Sequence, residues 1–326
     1  MDTIINFHVI DPNNLGDYLS SPFEYFDFPG LEAKRWDLQE LRELNANPDR
    51  PGTIRDYLAT LDPGQKVHIV FGGGGLLAPQ FQTAAQTAFR EVAQRTGGRA
   101  IAWGVGQQSY RISKKTGGLT AFREQAQQVA SQFPYQDYVE GWDLVGVRDD
   151  LEGRHWVPCA SCMHPGFEKD YVAKHDFVVY SHKKFQLKMP GIPTLDHTEK
   201  SMDKVLEFLG SGKTVLTSSF HGAYWGTLLG RKVLAFPFTS KFMTLRHPVA
   251  IYPNPGWRIP QWRWRPFKTT ALNKIDIRVK FSKYYRCQTK DWESYLGDAQ
   301  AYPTALAECR ERNQQFYAQV MDLVGA

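Results

Sequence analysis

His221 is the residue through which this chain most directly offers chemistry, and its neighbours say what kind. In KTVLTSSFHGAYWGTLLGRKVLAFPF, residues 213–238, a short apolar run ends at Ser218 and Ser219, and the imidazole follows at once. An imidazole titrates nearest neutral pH, so it can give or take a proton during group transfer, help typically worth about 10²–10⁴-fold. Cations elsewhere in the chain suit an anionic substrate: Arg148 has a fork that matches a carboxylate or phosphate, Lys241 brings a point charge, and Lys183 stands beside a second histidine, His182. Arg148 has a structural alternative, pairing with Asp149 or Asp150 at a helix start.

The elements that must position these residues can be read from periodicity. Residues 213–217 read as a buried strand, Ser218 and Ser219 as an N-cap, and Ala223, Trp225, Leu228 and Leu229 as one helix stopped by Gly230. His221 then falls in the first helical turn, where backbone N–H groups lack partners and favour an anion. Residues 232–236 form a second strand. A right-handed strand–helix–strand unit places both connecting loops at the carboxyl edge of a parallel sheet, where open α/β folds bind their ligands.

The same alternation recurs upstream. Strands are expected at 67–71, 99–103, 144–147 and 177–180, and helices at 79–94, 119–132 and 198–209, with a terminal helix at 303–323 packing back across the molecule. Gly72 to Gly75 follow the first of these strands, but Leu77 stands where G-x-G-x-x-G needs its third glycine, and no Gly-Lys-Ser/Thr follows for a P-loop. Gly73 and Gly74 are read as a loop whose amides can approach a ligand, or as a tight turn packing strand on helix. Gly104 and Gly106 form a second such loop, with the Gln107 and Gln108 amides available to hydrogen-bond a ligand. Asp17 is read as binding an acceptor hydroxyl or capping the first helix.

Several of these segments together resemble the polysaccharide pyruvyl transferase family. The run Thr217, Ser218, Ser219, Phe220, His221, Gly222 with Lys241 and Phe242 downstream is similar to its signature, and Asn14, Gly16 and Asp17 to its N-terminal element. FGGGGLL (71–77), AWGVGQQ (102–108), VGVRDD (145–150) and VPCASCM (157–163) follow in the family's order, so the resemblance spans residues 10–245. It implies an α/β fold of two Rossmann-like lobes facing a cleft (GT-B-like), here residues 1–168 on the acceptor side and 169–326 carrying the donor site and terminal helix.

The implied activity moves a pyruvyl group from phosphoenolpyruvate, a donor substrate and not a cofactor, to a sugar of a cell-surface polysaccharide precursor. Free or lipid-linked saccharide is the partner, and the product is a pyruvate ketal. The catalytic residues would be His221, Arg148 and Lys241, and the substrate-binding ones Asp17, Gly73, Gly74, Gln107, Gln108, His182, Lys183, Ser218 and Ser219. Ser219 stands where the family carries an arginine, so Lys241 or Lys183 is expected to supply the missing charge. Two other functions fit the same residues: a GT-B glycosyltransferase using a nucleotide sugar, and a non-catalytic saccharide-binding protein.

Composition narrows the remaining classes. At 326 residues, 42% apolar and 22% charged, the chain suits two soluble domains. It has no apolar run near 18 residues and no basic, then apolar, leader, which predicts a cytoplasmic protein. The four cysteines are too few for a disulfide framework, and the lone Cys159-Ala-Ser-Cys162 lacks the second pair of a zinc site, so structural thiols and no metal are expected. The excess charge of +5 gathers with Trp257, Trp262 and Trp264 between Arg258 and Arg286. No RRM, KH or helix-turn-helix pattern accompanies this tract, which points away from nucleic acid and toward saccharide stacking or anionic lipid head groups at the inner face of a membrane.

Overall fold

The structure, a computed structural model, describes residues 1–47, 53–108, 124–125, 128–129, 131–253, 256–258, 261–264, 277–280, 284–287 and 289–325. It is a mixed α/β protein built on two five-stranded sheets with parallel pairing. β1 (Thr3–His8), TIINFH, is buried at every position, because it lies between β2 (Glu32–Asp37) and β3 (Val67–Leu77), parallel to both. Such a strand is covered on both faces and reads as a nearly unbroken apolar run. β4 (Ala100–Gln107) and β5 (Leu144–Val147) complete the order β2-β1-β3-β4-β5.

The second sheet contains β6 (His175–Ser181), β8 (Thr194–Asp196), β9 (Gly212–Thr217), β10 (Lys232–Ala235) and β11 (Ala250–Ile251), in the order β11-β10-β9-β6-β8. The short β7 (Phe185–Gln186) lies outside it and pairs with Tyr285–Arg286. The helix Phe220–Leu228 connects β9 to β10 and is buried along its whole length. β11 falls in the Pro- and Trp-rich tract 246–268, whose composition predicts an ordered loop; its pairing with β10 gives those backbone groups a ladder.

The glycine clusters differ most from the sequence-based expectation. Gly72 to Gly75 belong to β3 and Gly104 and Gly106 to β4, so they form strand and not loop. Gly73 and Gly74 take φ of +87° and +90°, and the register with β4 shifts between Gly74 and Leu77. A β-carbon on Gly73 would lie 2.2 Å from the carbonyl oxygen of Ser20, so glycine lets the strand continue under a tightly packed segment.

Smaller differences have local causes. The helix expected from residue 198 begins at Met202, because Ser201 is its N-cap and the Asp196 and Glu199 carboxylates bind the N–H groups of Thr198, Lys200 and Ser201. The expected 119–132 helix falls mostly outside the described residues, as does much of the basic, aromatic tract. The terminal helix Ala305–Val324 joins both cores: Ala305 and Cys309 pack with Val178 and Val215, whereas Phe316 and Val320 pack with Ile4, Val70 and Trp103. Its Asn313 accepts a 2.9 Å bond from Trp103 Nε1 and donates to the Pro158 carbonyl at 3.2 Å.

Candidate active site

A cleft of about 720 Å³ is lined from both sheets. From the first come Asp11, Asn14 and Asp17 after β1, Gly75 and Leu76 of β3, Gln108 after β4 and Arg148 after β5. From the second come His182 and Lys183 after β6, His197 after β8, Ser219, Phe220 and His221 after β9, and Lys241 after β10. These are the carboxyl ends of the strands, where parallel sheets place their ligand-binding loops.

His221 sits in the first turn of its helix, whose N-cap Ser219 accepts from Gly222 N–H at 3.2 Å. The imidazole is 6% exposed. Its Nε2 lies 3.8 Å from Cys159 Sγ, and a β-carbon on Gly16 would fall 2.0 Å from Nδ1. The glycine of the N-terminal Asn14-Leu15-Gly16-Asp17 element is thus what lets that segment lie against the histidine. Burial, with Arg148 and Lys241 adding to it, pushes His221 well below the usual histidine range. Burial thus favours the neutral ring, which can accept a proton.

Arg148 is the site's principal cation. It is 5% exposed, and its Nε and Nη2 have no hydrogen-bond partner among the described residues. Its carboxylate neighbours are engaged elsewhere: Asp150 pairs with Arg246 at 3.2 Å, while Asp149 accepts from Thr244 Oγ1, Tyr135 OH and Gln107 N–H at 2.6, 2.8 and 2.7 Å. Among the described residues neither carboxylate forms an ion pair with Arg148, although the Arg148 charge opposes the upward push of burial on the Asp149 carboxyl. Its guanidinium lies over the Phe220 ring at 4.1 Å, and a β-carbon on Gly106 would meet Nε at 2.1 Å. A buried cation with open donors favours a ligand with anionic oxygens.

Lys241 is set in the turn Ser240–Thr244, with Nζ 5.2 Å from the Phe238 ring centre and 5.7 Å from that of Phe220. Burial, then the Arg148 charge, lowers its ammonium to about 8. Asp17 moves the other way: burial raises its carboxyl, with Lys241 and Arg148 opposing. Asp17 accepts from Asn14 Nδ2 and lies within the helix Leu15–Tyr18, whose N-cap is Asn14, so the capping role read for Asp17 is not the one it has.

Lys183 is already paired, its Nζ 2.6 Å from Asp11 Oδ2. His182 is pushed well below the usual range by burial and by neighbouring cations. Gln108 lines the cleft, but Gly73, Gly74, Gln107 and Ser218 do not. Gln107 Oε1 accepts from Ser240 Oγ at 3.0 Å, tying the two sheets together. Ser218 Oγ accepts from His182 N–H and donates to the Phe185 carbonyl, fixing the loop that carries His182. Ser219 lines the cleft as the cap and binds His197 Nε2 at 2.7 Å. His197 is not singled out by the sequence because it belongs to no motif and follows the short, partly polar strand Thr194–Asp196.

Cys159, Cys162 and Cys309 are buried free thiols, and among the described residues no group of His, Cys, Asp and Glu could hold a metal. No helix among them is long and apolar enough to cross a membrane. No family model and no curated protein matches the chain. Among solved structures, one of an uncharacterized protein from Klebsiella pneumoniae is similar at 13% identity and a TM-score of 0.38, over 72% of this chain and 83% of that one.

Proposed function

We propose that this protein is a transferase that moves the pyruvyl group of phosphoenolpyruvate onto two hydroxyls of a sugar in a cell-surface polysaccharide precursor. The observation that carries the reading is the buried Arg148 guanidinium with Nε and Nη2 unpartnered, in one cleft with Lys241 and a neutral His221. The motif resemblance supplies the choice of donor. Two Rossmann-like lobes meeting as in GT-B enzymes would set the donor on the His221 side and the sugar toward Asp17.

In the reaction, one sugar hydroxyl adds across the donor's enol double bond, its oxygen to C2 and a proton to C3. The second hydroxyl then displaces phosphate at C2, closing the ketal. His221, held neutral, accepts the hydroxyl proton. Lys241, an ammonium that titrates near about 8, holds a proton that it can give at neutral pH. Arg148 holds the carboxylate and the departing phosphate, since a fixed charge in a buried site needs no reorganisation as charge develops, and the Lys241 ammonium helps to bind the donor before it gives its proton.

A nucleotide-sugar glycosyltransferase is the second reading, and the aromatic wall favours it. Phe185 stacks on Phe238 at 3.9 Å and 2° and on Tyr285 at 4.8 Å and 13°, and Trp257 also lines the cleft; such rings suit a base as well as a sugar. Incubation with labelled phosphoenolpyruvate and a panel of lipid-linked and synthetic glycosides, on the cytoplasmic-enzyme premise, tests the choice. The pyruvyl reading expects labelled ketal with stoichiometric phosphate release. Absence of both, with stabilisation by a nucleotide sugar that phosphoenolpyruvate does not reproduce, would select the second.

A further inference from the structure

Among the buried polar groups of the cleft that the proposed mechanism leaves unused, His197 is the titratable one with an unpartnered ring nitrogen. His197 follows β8 at the edge of the second sheet, is 4% exposed, and lines the cleft. Its Nε2 is 2.7 Å from Ser219 Oγ, and its Nδ1 has no partner among the described residues. The ring is packed on two sides, at 5.3 Å from Tyr180 and 5.1 Å from His182, so it cannot readily turn to find one.

Counting protons fixes the tautomer. Ser219 Oγ already accepts from Gly222 N–H as the helix cap, and its own hydroxyl proton then has His197 Nε2 as acceptor. That places the imidazole proton on Nδ1 and leaves one buried donor open. The other tautomer would leave two groups open, the Ser219 hydroxyl proton and the Nδ1 lone pair. Buried polar groups in folded proteins are nearly always paired, so the arrangement with one open donor is the favoured one. An open donor in a cleft that also holds the Lys241 ammonium and the unpartnered Arg148 calls for an oxygen with negative charge.

We propose that His197 is a ligand-binding residue, held by Ser219 as the Nδ1–H tautomer, that donates a hydrogen bond to an anionic oxygen of the bound substrate. The inference rests on the anion-binding reading of the cleft and adds a residue and a proton position to it. It also explains what Ser219 does, since a small hydroxyl here caps the helix and sets the histidine at once. Burial lowers the His197 imidazole to about 4, with Lys241 and Lys183 adding to the effect, which keeps it a neutral donor across the physiological range.

The test uses full-length protein labelled with ¹⁵N in its histidine rings. Long-range proton–nitrogen spectra should show His197 protonated at Nδ1, and inorganic phosphate or pyruvate should shift that nitrogen; the anion that shifts it more identifies whether phosphoryl or carboxylate oxygen is bound. His197→Asn, whose amide nitrogen falls near the Nδ1 position, should retain anion affinity within a few-fold. His197→Ala should lose about tenfold, as for one charge-assisted hydrogen bond. Ser219→Ala should allow a mixture of tautomers in the spectrum.

Protonation at Nε2 would overturn the inference by itself. If both anions bind, Arg148→Lys weakens them and the His197 variants do not, the inference fails while the proposed function stands. If neither anion binds wild-type protein, both fall together.

Discussion

On the first sheet's side of the cleft the lining is acidic and cut back, with Asp11, Asp17 and Gly75 and a single cation, Arg148; on the second sheet's side it is basic and imidazole-rich, with Lys183, Lys241, His182, His197 and His221. The glycines of β3 and β4 provide space, since Gly106 and Gly75 leave room for the Arg148 side chain. The second sheet's edge provides titratable groups. At the mouth the two edges neutralise each other through the Lys183–Asp11 pair. Deeper in, Arg148 Nε and Nη2 have no partner among the described residues, and on the proposed function that is where an anion would complete the charge balance. On the proposed function, one edge admits a charge and the other exchanges protons.

The largest test of this division removes the exchange. His221→Ala should lower turnover by about 10²-fold or more with little change in thermal stability, and Gly16→Ala should approach the same loss, because its β-carbon would fall 2.0 Å from Nδ1. Turnover within a few-fold of wild type in both would take proton transfer away from that edge.

Lys241 is the next test. Its ammonium titrates near about 8 in the folded protein, below its ordinary 10.5. The protonated form binds the anion, so donor affinity should be full below pH 8, weaken as pH rises through about 8, and be accompanied by proton uptake above it. Lys241→Met should weaken the donor by about 1.5–3 kcal/mol at neutral pH and flatten that dependence. An unchanged pH profile in the variant would assign the titration to another group.

Arg148→Lys is expected to have a smaller effect, because it keeps the charge and loses only the fork. Donor KM should rise by the equivalent of about 1 kcal/mol while acceptor KM barely moves. Equal rises in both would make Arg148 a structural residue. Smallest of all should be Lys183→Met: its partially exposed pair with Asp11 contributes about 0–1 kcal/mol, so donor affinity should change less than for Lys241→Met. A larger effect would show that Lys183 leaves Asp11 to meet the ligand.

What was legible in the chain was what neighbouring residues determine. The run from residue 212 to 236, its Ser219 cap, the placement of His221 in the first turn and the α/β alternation follow from apolar spacing and capping, which act over a few residues. Arg148, Lys241, Asp17, Gln108, His182, Lys183 and Ser219 all line one cleft. Only the tertiary structure decided the rest. That Gly16 makes room for His221 across 205 positions (221 − 16), that Gly106 makes room for Arg148, and that His197 faces Ser219 depend on packing between segments far apart in sequence. The pKa of His221 likewise depends on burial by residues from both sheets. Periodicity reports which face of an element is apolar, but contact between two elements is set by the folded backbone, and desolvation by everything that surrounds the group.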